Sequence, residues 1–176
     1  RKVEEVEKHS RESIKEIERL VEEVRKHSKD SIRRIEKLVE DVERHSRKVI
    51  EELERDKIDE KAKRLLEEDE KLVREIKERI KKLSRENEER VKDIARRIRE
   101  LSKRNEETVR AIARKIDKDM VRRLEKILKE DKEVVKKAEE ELRELLKEDR
   151  EVVKRAEEEL ERLLKETEDV VRKVET

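Results

Sequence analysis

The sequence predicts an all-α fold, an extended and straight antiparallel three-helix bundle (up-down-up) with helices of about 55 residues. Charged residues make up 61% of the 176-residue chain, and Gly, Pro, Cys, Phe, Trp and Tyr do not occur. The hydrophobic residues, 31% of the chain, recur every three or four positions. In a chain of this composition such periodicity indicates long helices rather than disorder. Two short breaks in the spacing divide the chain into three helices, which have to bury their apolar stripes against one another.

The first predicted helix spans about residues 2–55 and is built on an 18-residue repeat. His9–Lys26 recurs as His27–Arg44 with ten of the eighteen positions identical. Eighteen residues make five turns of an α-helix, so each repeat returns to the same face without supercoiling. The positions predicted to point inward are Val3, Val6, Ser10, Ile14, Ile17, Val21, Val24, Ser28, Ile32, Ile35, Val39, Val42, Ser46, Ile50 and Leu53. Leu20, Leu38 and Val49 widen this stripe and offer a surface for side-by-side association.

Two breaks in the spacing mark the turns. The first turn is predicted at about residues 56–59, followed by a helix over about 60–116, and the second turn at about 117–119, followed by a helix over about 119–175. The aspartates that can cap the following helices are Asp56 and Asp59 in the first turn and Asp117 and Asp119 in the second. All three helices are predicted to form a single domain, a helical bundle over residues 1–176.

The second and third helices carry repeats of the same length. Leu83–Glu100 recurs as Leu101–Lys118 with ten of eighteen positions kept, and Asp131–Glu148 recurs as Asp149–Glu166 with fourteen kept. The positions that vary are mostly charged. The repeats therefore preserve a core face and vary the surface.

Polar residues interrupt each inward stripe once per repeat. Folding the chain at residue 57 and again at residue 118 places these residues opposite one another, and both fold points coincide with the predicted turns. The three resulting polar layers are His9–Asn105–Asp131, His27–Asn87–Asp149 and His45–Asp69–Thr167, accompanied by Ser10, Ser28 and Ser46. A buried polar group without a partner costs about 1–3 kcal/mol, so such layers would penalise slipped helix registers. The alternative is that the His and Asp side chains lie at the edge of the stripe and face water.

The charge balance argues against nucleic-acid and membrane partners. The chain has 54 basic and 53 acidic residues, interspersed, with a formal net charge of +1. A nucleic-acid footprint needs a clustered basic face. No stretch approaches 18 consecutive apolar residues, and the first ten residues, RKVEEVEKHS, lack the apolar core of a signal peptide.

The residue types also predict neither catalysis nor a metal or other cofactor. His9, Ser10 and Asp131 carry the groups of a nucleophilic triad, but adjacent side chains on a helix diverge by about 100°, and no Gly-rich turn supplies an oxyanion hole. Histidines 18 residues apart lie about 27 Å from one another along a helix, so two of them cannot share an ion. One imidazole and one carboxylate per layer are too few ligands for a closed zinc site.

The long helices, the 18-residue repeat with a copied core and varied charged surface, and the recurrent polar layers resemble computationally designed, untwisted three-helix bundles with buried hydrogen-bond networks. The resemblance implies a synthetic scaffold with no natural biochemical function, soluble in the cytoplasm if expressed in bacteria. No partner is required; a monomer is expected, and self-association stays open. Two alternatives remain. One is a pH-responsive helical module switched by buried histidines, and the other is a protein-binding or oligomerising helical module.

Overall fold

The computed structural model describes residues 2–56 and 59–175, which form three long helices. These are α1 (Lys2–Asp56), α2 (Asp59–Ala113) and α3 (Lys118–Glu175), of 55, 55 and 58 residues. No β-strand occurs in these two ranges. The predicted all-α three-helix bundle is confirmed.

The helices contribute to two compact units. Unit 1 comprises Arg1–Ser28 and Glu88–Lys147, and unit 2 comprises Lys29–Asn87 and Glu148–Thr176. Each unit contains a segment of all three helices. The prediction of a single domain over residues 1–176 stays a prediction.

The core of unit 1 consists of two apolar clusters with contributions from all three helices. One cluster has as its buried members Val3, Val6, Val109 and Leu124. The other has Ile17, Leu20, Val21, Val24, Val91, Ile94, Ile98, Ala138 and Leu142. Within this unit α1 and α2 run antiparallel, because Val6 shares a cluster with Val109 whereas Val24 shares one with Val91.

Unit 2 has the same arrangement. Its larger cluster has as its buried members Ile35, Leu38, Val42, Val73, Ile76, Ile80, Ala156, Leu160 and Leu163. Its smaller cluster has Val49, Leu53, Ala62 and Val171. In both units most charged residues occupy the outer faces, as the helical period of the apolar positions requires, whereas Asp69, Asp131 and Asp149 are buried.

The buried face of α1 is rotated relative to the predicted stripe. Leu20, Leu38 and Val49, predicted to widen the stripe, are buried in the cores, so they are not available for side-by-side association. Residues predicted to point inward but only half-buried are Ile14, Ile32, Val39 and Ile50. A stripe this wide contains two neighbouring candidate axes, and packing against α2 and α3 selects between them.

The first turn was predicted at about residues 56–59. Its central residues, Lys57 and Ile58, lie outside the described residues. The described parts of α1 and α2 end at Asp56 and begin at Asp59. The capping roles predicted for these two aspartates stay predictions.

The second connection lies at residues 114–117, earlier than the predicted turn at about 117–119, because α2 ends at Ala113 instead of about residue 116. Ile112 and Ile116 keep a helical spacing of four in the sequence, and both pack against the same cluster of unit 1. Ile116 reaches this cluster from outside the helix, after a tight turn in which the Lys115 N–H donates to the Ile112 carbonyl oxygen over 3.0 Å. Apolar spacing alone therefore placed the helix end too late.

Asp117 is the N-cap of α3. Its Oδ1 accepts a hydrogen bond from the Met120 backbone N–H at 3.1 Å, and its carbonyl oxygen accepts from the Val121 N–H at 3.0 Å. Asp119, the other predicted cap, lies inside the first turn of α3.

We expect Asp117→Ala to lower the free energy of unfolding by about 0.5–2 kcal/mol, because the Met120 N–H loses its acceptor. Asp117→Asn is the matched control and should stay close to the parent, since asparagine caps about as well as aspartate. Urea denaturation followed by circular dichroism measures both. Equal losses in the two variants would contradict a capping role.

Candidate functional site: the buried polar layers

The polar layer of unit 1 joins all three helices through Asp131. Ser10 on α1 donates from Oγ to Asp131 Oδ1 at 2.5 Å, and Asn105 on α2 donates from Nδ2 to Asp131 Oδ2. All three side chains are buried. In each helix this position falls between the residues of the two apolar clusters of the unit. The side chain of His9, predicted to belong to this layer, is exposed and makes no hydrogen bond with the described residues.

Burial changes the pKa of Asp131. Desolvation raises the pKa of this carboxyl group above its ordinary value. The hydrogen bond from Ser10 and the charge of His9 act in the opposite direction, and the neighbouring Glu130 adds to the increase. Because desolvation is the largest of these effects, the fold favours the neutral form of Asp131 more than the unfolded chain does.

The polar layer of unit 2 is centred on Asp69. Ser46 donates from Oγ to Asp69 Oδ1 at 3.0 Å, and the Nδ1 of His45 lies 3.0 Å from the same oxygen. The carboxylate can only accept, so Nδ1 carries the hydrogen in this pair. Asp69 Oδ2 is buried and accepts no hydrogen bond from the described residues.

Thr167, the third predicted member of this layer, is buried but bonds within its own helix. Its Oγ1 donates to the Leu163 carbonyl oxygen at 3.1 Å, one turn earlier in α3. Threonine commonly satisfies its hydroxyl in this way inside a helix. Pairing by fold points assigned Thr167 to the layer of His45 and Asp69, but it could not tell which acceptor the hydroxyl of Thr167 would use.

The middle predicted layer has Asn87 and Asp149 as its members in unit 2. Asn87 and Asp149 are both buried, and Ser84 on α2 donates from Oγ to Asp149 Oδ2 at 3.0 Å. On the α1 side, Ser28 is buried and His27 is half-buried. The joining of His27 with Asn87 and Asp149 stays a prediction.

Serines contribute more than the sequence reasoning assigned to them. The predicted layers do not include Ser84, which is half-buried and donates to Asp149, or Ser31 on α1, which is buried. The signal was available: Ser84 recurs as Ser102 in the α2 repeat and precedes Asn87 by three positions, on the same helix face. Ser31 corresponds to Ser13, which is only half-buried, so the repeat alone does not determine burial.

The geometry around Ser10 differs from that of a nucleophilic triad. In a triad the serine donates to a histidine, which is held by the carboxylate. Here Ser10 donates directly to Asp131, and His9 points to solvent. Among the described residues there is no group of three or more His, Cys, Asp or Glu side chains placed to hold a metal ion. No helix in the described ranges is long and apolar enough to cross a membrane.

The outer faces of both units carry ion pairs between helices. In unit 1, Glu23 pairs with Arg90 at 2.9 Å and Glu141 with Arg25 at 2.9 Å. Pairs of this exposed kind contribute about 0–1 kcal/mol each. They support the arrangement of the helices within each unit.

A groove of 560 Å³ opens between α1 and α2 in unit 2. Leu38 and Leu83 contribute its apolar lining, and both basic and acidic side chains surround them. Since this mixture of charges resembles the rest of the surface, it favours no class of ligand.

Comparison with known proteins supports the fold. No protein-family model matches the chain, and no curated protein matches it. The chain is similar to a solved structure described as a computationally designed three helix bundle, with a TM-score of 0.66 and 16% sequence identity. The match covers 99% of this chain and 87% of that one. At this level of identity the likeness shows the fold.

Proposed function

We propose that the chain is a designed structural scaffold, with no natural biochemical function, whose repeated polar core positions set the register between its helices. The observation that carries the proposal is the pairing of a buried aspartate with a serine of the α1 repeat in both units. Ser10 donates to Asp131 in unit 1, and Ser46, which is two repeats later on the same helix, donates to Asp69 in unit 2. The likeness in fold to a designed bundle supports the synthetic origin.

The physical reason is the unequal cost of slipped arrangements. The apolar core positions are occupied by Val, Ile, Leu and Ala, so a shift of one helix by seven residues, about two turns, exchanges one apolar contact for another. The same shift separates Ser10 from Asp131 and leaves a buried polar group without its donor. Each such loss costs about 1–3 kcal/mol, which is large compared with the exchange of apolar contacts.

The test replaces the layer of unit 1 with apolar residues and measures register. The variant combines Ser10→Ala, Asn105→Leu and Asp131→Leu. Replacing a buried polar cluster with apolar residues often stabilises a protein, so we expect greater resistance to urea together with loss of a unique register.

Register can be read by disulfide trapping because the chain has no cysteine. Cysteines at Glu23 and Arg90, which form an ion pair at 2.9 Å, report the native register. Cysteines at Glu23 and Arg97 report a shift of seven residues. In the parent background, only the cysteines at Glu23 and Arg90 should form a disulfide. In the apolar variant, both cysteine pairs should form disulfides, or light scattering should show a changed mass.

A matched control keeps the polar layer and exchanges apolar core residues of equal size, Ile94→Leu, Ile98→Leu and Leu142→Ile. This control should retain the single native disulfide, because its polar groups still penalise slippage. If the apolar variant also formed only the native disulfide and kept the mass of the parent, the proposed role in register would be refuted.

The two alternatives receive less support. A switch that opens in acid needs buried histidines, but His9 is exposed and both His27 and His45 are half-buried. A binding module needs an apolar surface patch. Within the described ranges Met120, which is 38% exposed, is the one exposed large hydrophobic residue, and a single residue does not form such a patch.

A further inference from the structure

We propose that Asp131 in the folded protein holds a proton that it shares with the side-chain amide oxygen of Asn105, so that mild acid stabilises unit 1. This acid–amide pair goes beyond the role in helix register. It is opposite in direction to a histidine switch, which would open the bundle in acid.

The side-chain amide oxygen of Asn105 lacks a donor among the described residues, although Asn105 is hydrogen-bonded to Asp131. Asn105 is buried, its Nδ2 donates to Asp131 Oδ2, and its own Oδ1 accepts no hydrogen bond from the described residues. An ionised carboxylate cannot donate to this oxygen, whereas a protonated one can. In a pair of a carboxylic acid and a primary amide, the N–H donates to one carboxyl oxygen and the O–H donates to the amide oxygen. Protonation therefore supplies the missing donor.

The charges around the site act in both directions on the ionisation of Asp131. Glu130, the neighbour on α3, disfavours ionisation of Asp131, and His9 on α1 favours it. The group that α2 contributes is the neutral amide of Asn105. His9 is exposed, so water screens its effect. Desolvation exceeds each of these charge effects and raises the pKa of Asp131.

Ser10 does not prevent this pairing. Its hydroxyl donates to Asp131 Oδ1, and a protonated carboxyl oxygen still has a lone pair that can accept that bond. A groove between α1 and α3 is lined by Ser10 and Glu130, so water can reach the edge of the site and exchange the proton.

The effect on stability has a definite sign. The folded form has the raised pKa and binds the proton more tightly than the unfolded chain. The contribution is therefore complete below the unfolded value, about 3.9 for aspartate, and is lost as pH rises through the folded value. Each unit of difference between the two pKa values corresponds to a tenfold change in the unfolding equilibrium constant.

The experiment has two readouts on the intact protein. Carbon-13 NMR of the carboxyl groups should give Asp131 a titration midpoint above that of exposed aspartates, and the Asn105 Nδ2 resonances should shift with the same midpoint. In urea denaturation, Asp131→Asn should have a smaller unfolding equilibrium constant than the parent at neutral pH, and this difference should shrink as pH falls.

Asp93→Asn is the control in the same unit. Arg96 donates a hydrogen bond to exposed Asp93 at 2.6 Å and lowers the pKa of that carboxyl group, so this variant should not gain stability at neutral pH. An Asp131 midpoint at or below the ordinary value would overturn the proposal. So would a raised midpoint that the Asn105 resonances do not follow, because the proton would then not be shared with the amide.

Discussion

Leu160→Ala should lower the free energy of unfolding by about 2–5 kcal/mol, the largest loss that we expect from a single substitution. Leu160 is fully buried in the larger cluster of unit 2, where Leu163 and Ile80 are among its buried members. Truncation removes apolar surface from the core and leaves a cavity, which long helices packed along their length can close only in part. Urea denaturation followed by circular dichroism gives the loss.

Met120→Ala is the matched comparison for Leu160→Ala. Met120 is 38% exposed near the start of α3, so its truncation should cost clearly less. A loss below about 1 kcal/mol for Leu160→Ala would show that the core of unit 2 is more loosely packed than the structure indicates.

His45→Ala is expected to cost about 1–3 kcal/mol at neutral pH, because among the described residues it leaves Ser46 as the one donor to the buried carboxylate of Asp69. The equivalent position two repeats earlier provides the control. His9 is exposed and makes no hydrogen bond within the described residues, so His9→Ala should change stability by less than about 0.5 kcal/mol.

Denaturation of both histidine variants at one pH, with the parent alongside, checks this contrast. Equal effects at the two positions would mean that the hydrogen bond from His45 to Asp69 contributes little. The two histidines occupy equivalent positions of the 18-residue repeat. A difference in stability between the two variants therefore arises from the surroundings of each histidine in the fold.

Much of the fold could be predicted because it depends on periodicity. Apolar residues repeating every three or four positions define helices, and the loss of that spacing marks the connections. The same argument misplaced the end of α2, since Ile116 keeps the helical spacing yet contacts the core from the connection. It also placed the axis of the α1 stripe slightly to one side, because Ile14 and Leu20 are equally apolar in the sequence. Eleven of the fifteen residues predicted to point inward are buried, and four are half-buried.

Two of the predicted polar pairs are hydrogen-bonded in the structure. Pairing by fold points placed Asp131 with Asn105 and His45 with Asp69, and both pairs are hydrogen-bonded. It could not foresee that Ser10 would replace His9 as the donor to Asp131. Adjacent residues on a helix diverge by about 100°, and pairing by fold points does not decide which of the two reaches the aspartate. At Asp69 both neighbours, His45 and Ser46, reach it.

The sequence by itself determined the three helices, the spacing of the polar positions along them and the balanced charge of the surface, since each follows from residue type and helical period. Only the tertiary structure decided which side of each stripe is buried, which serine or histidine reaches a given aspartate, and whether Thr167 bonds across the bundle or within α3. These outcomes depend on how neighbouring helices rotate to fill the core. Rotation by a fraction of a turn changes hydrogen-bond partners while leaving the periodic pattern of the sequence unchanged.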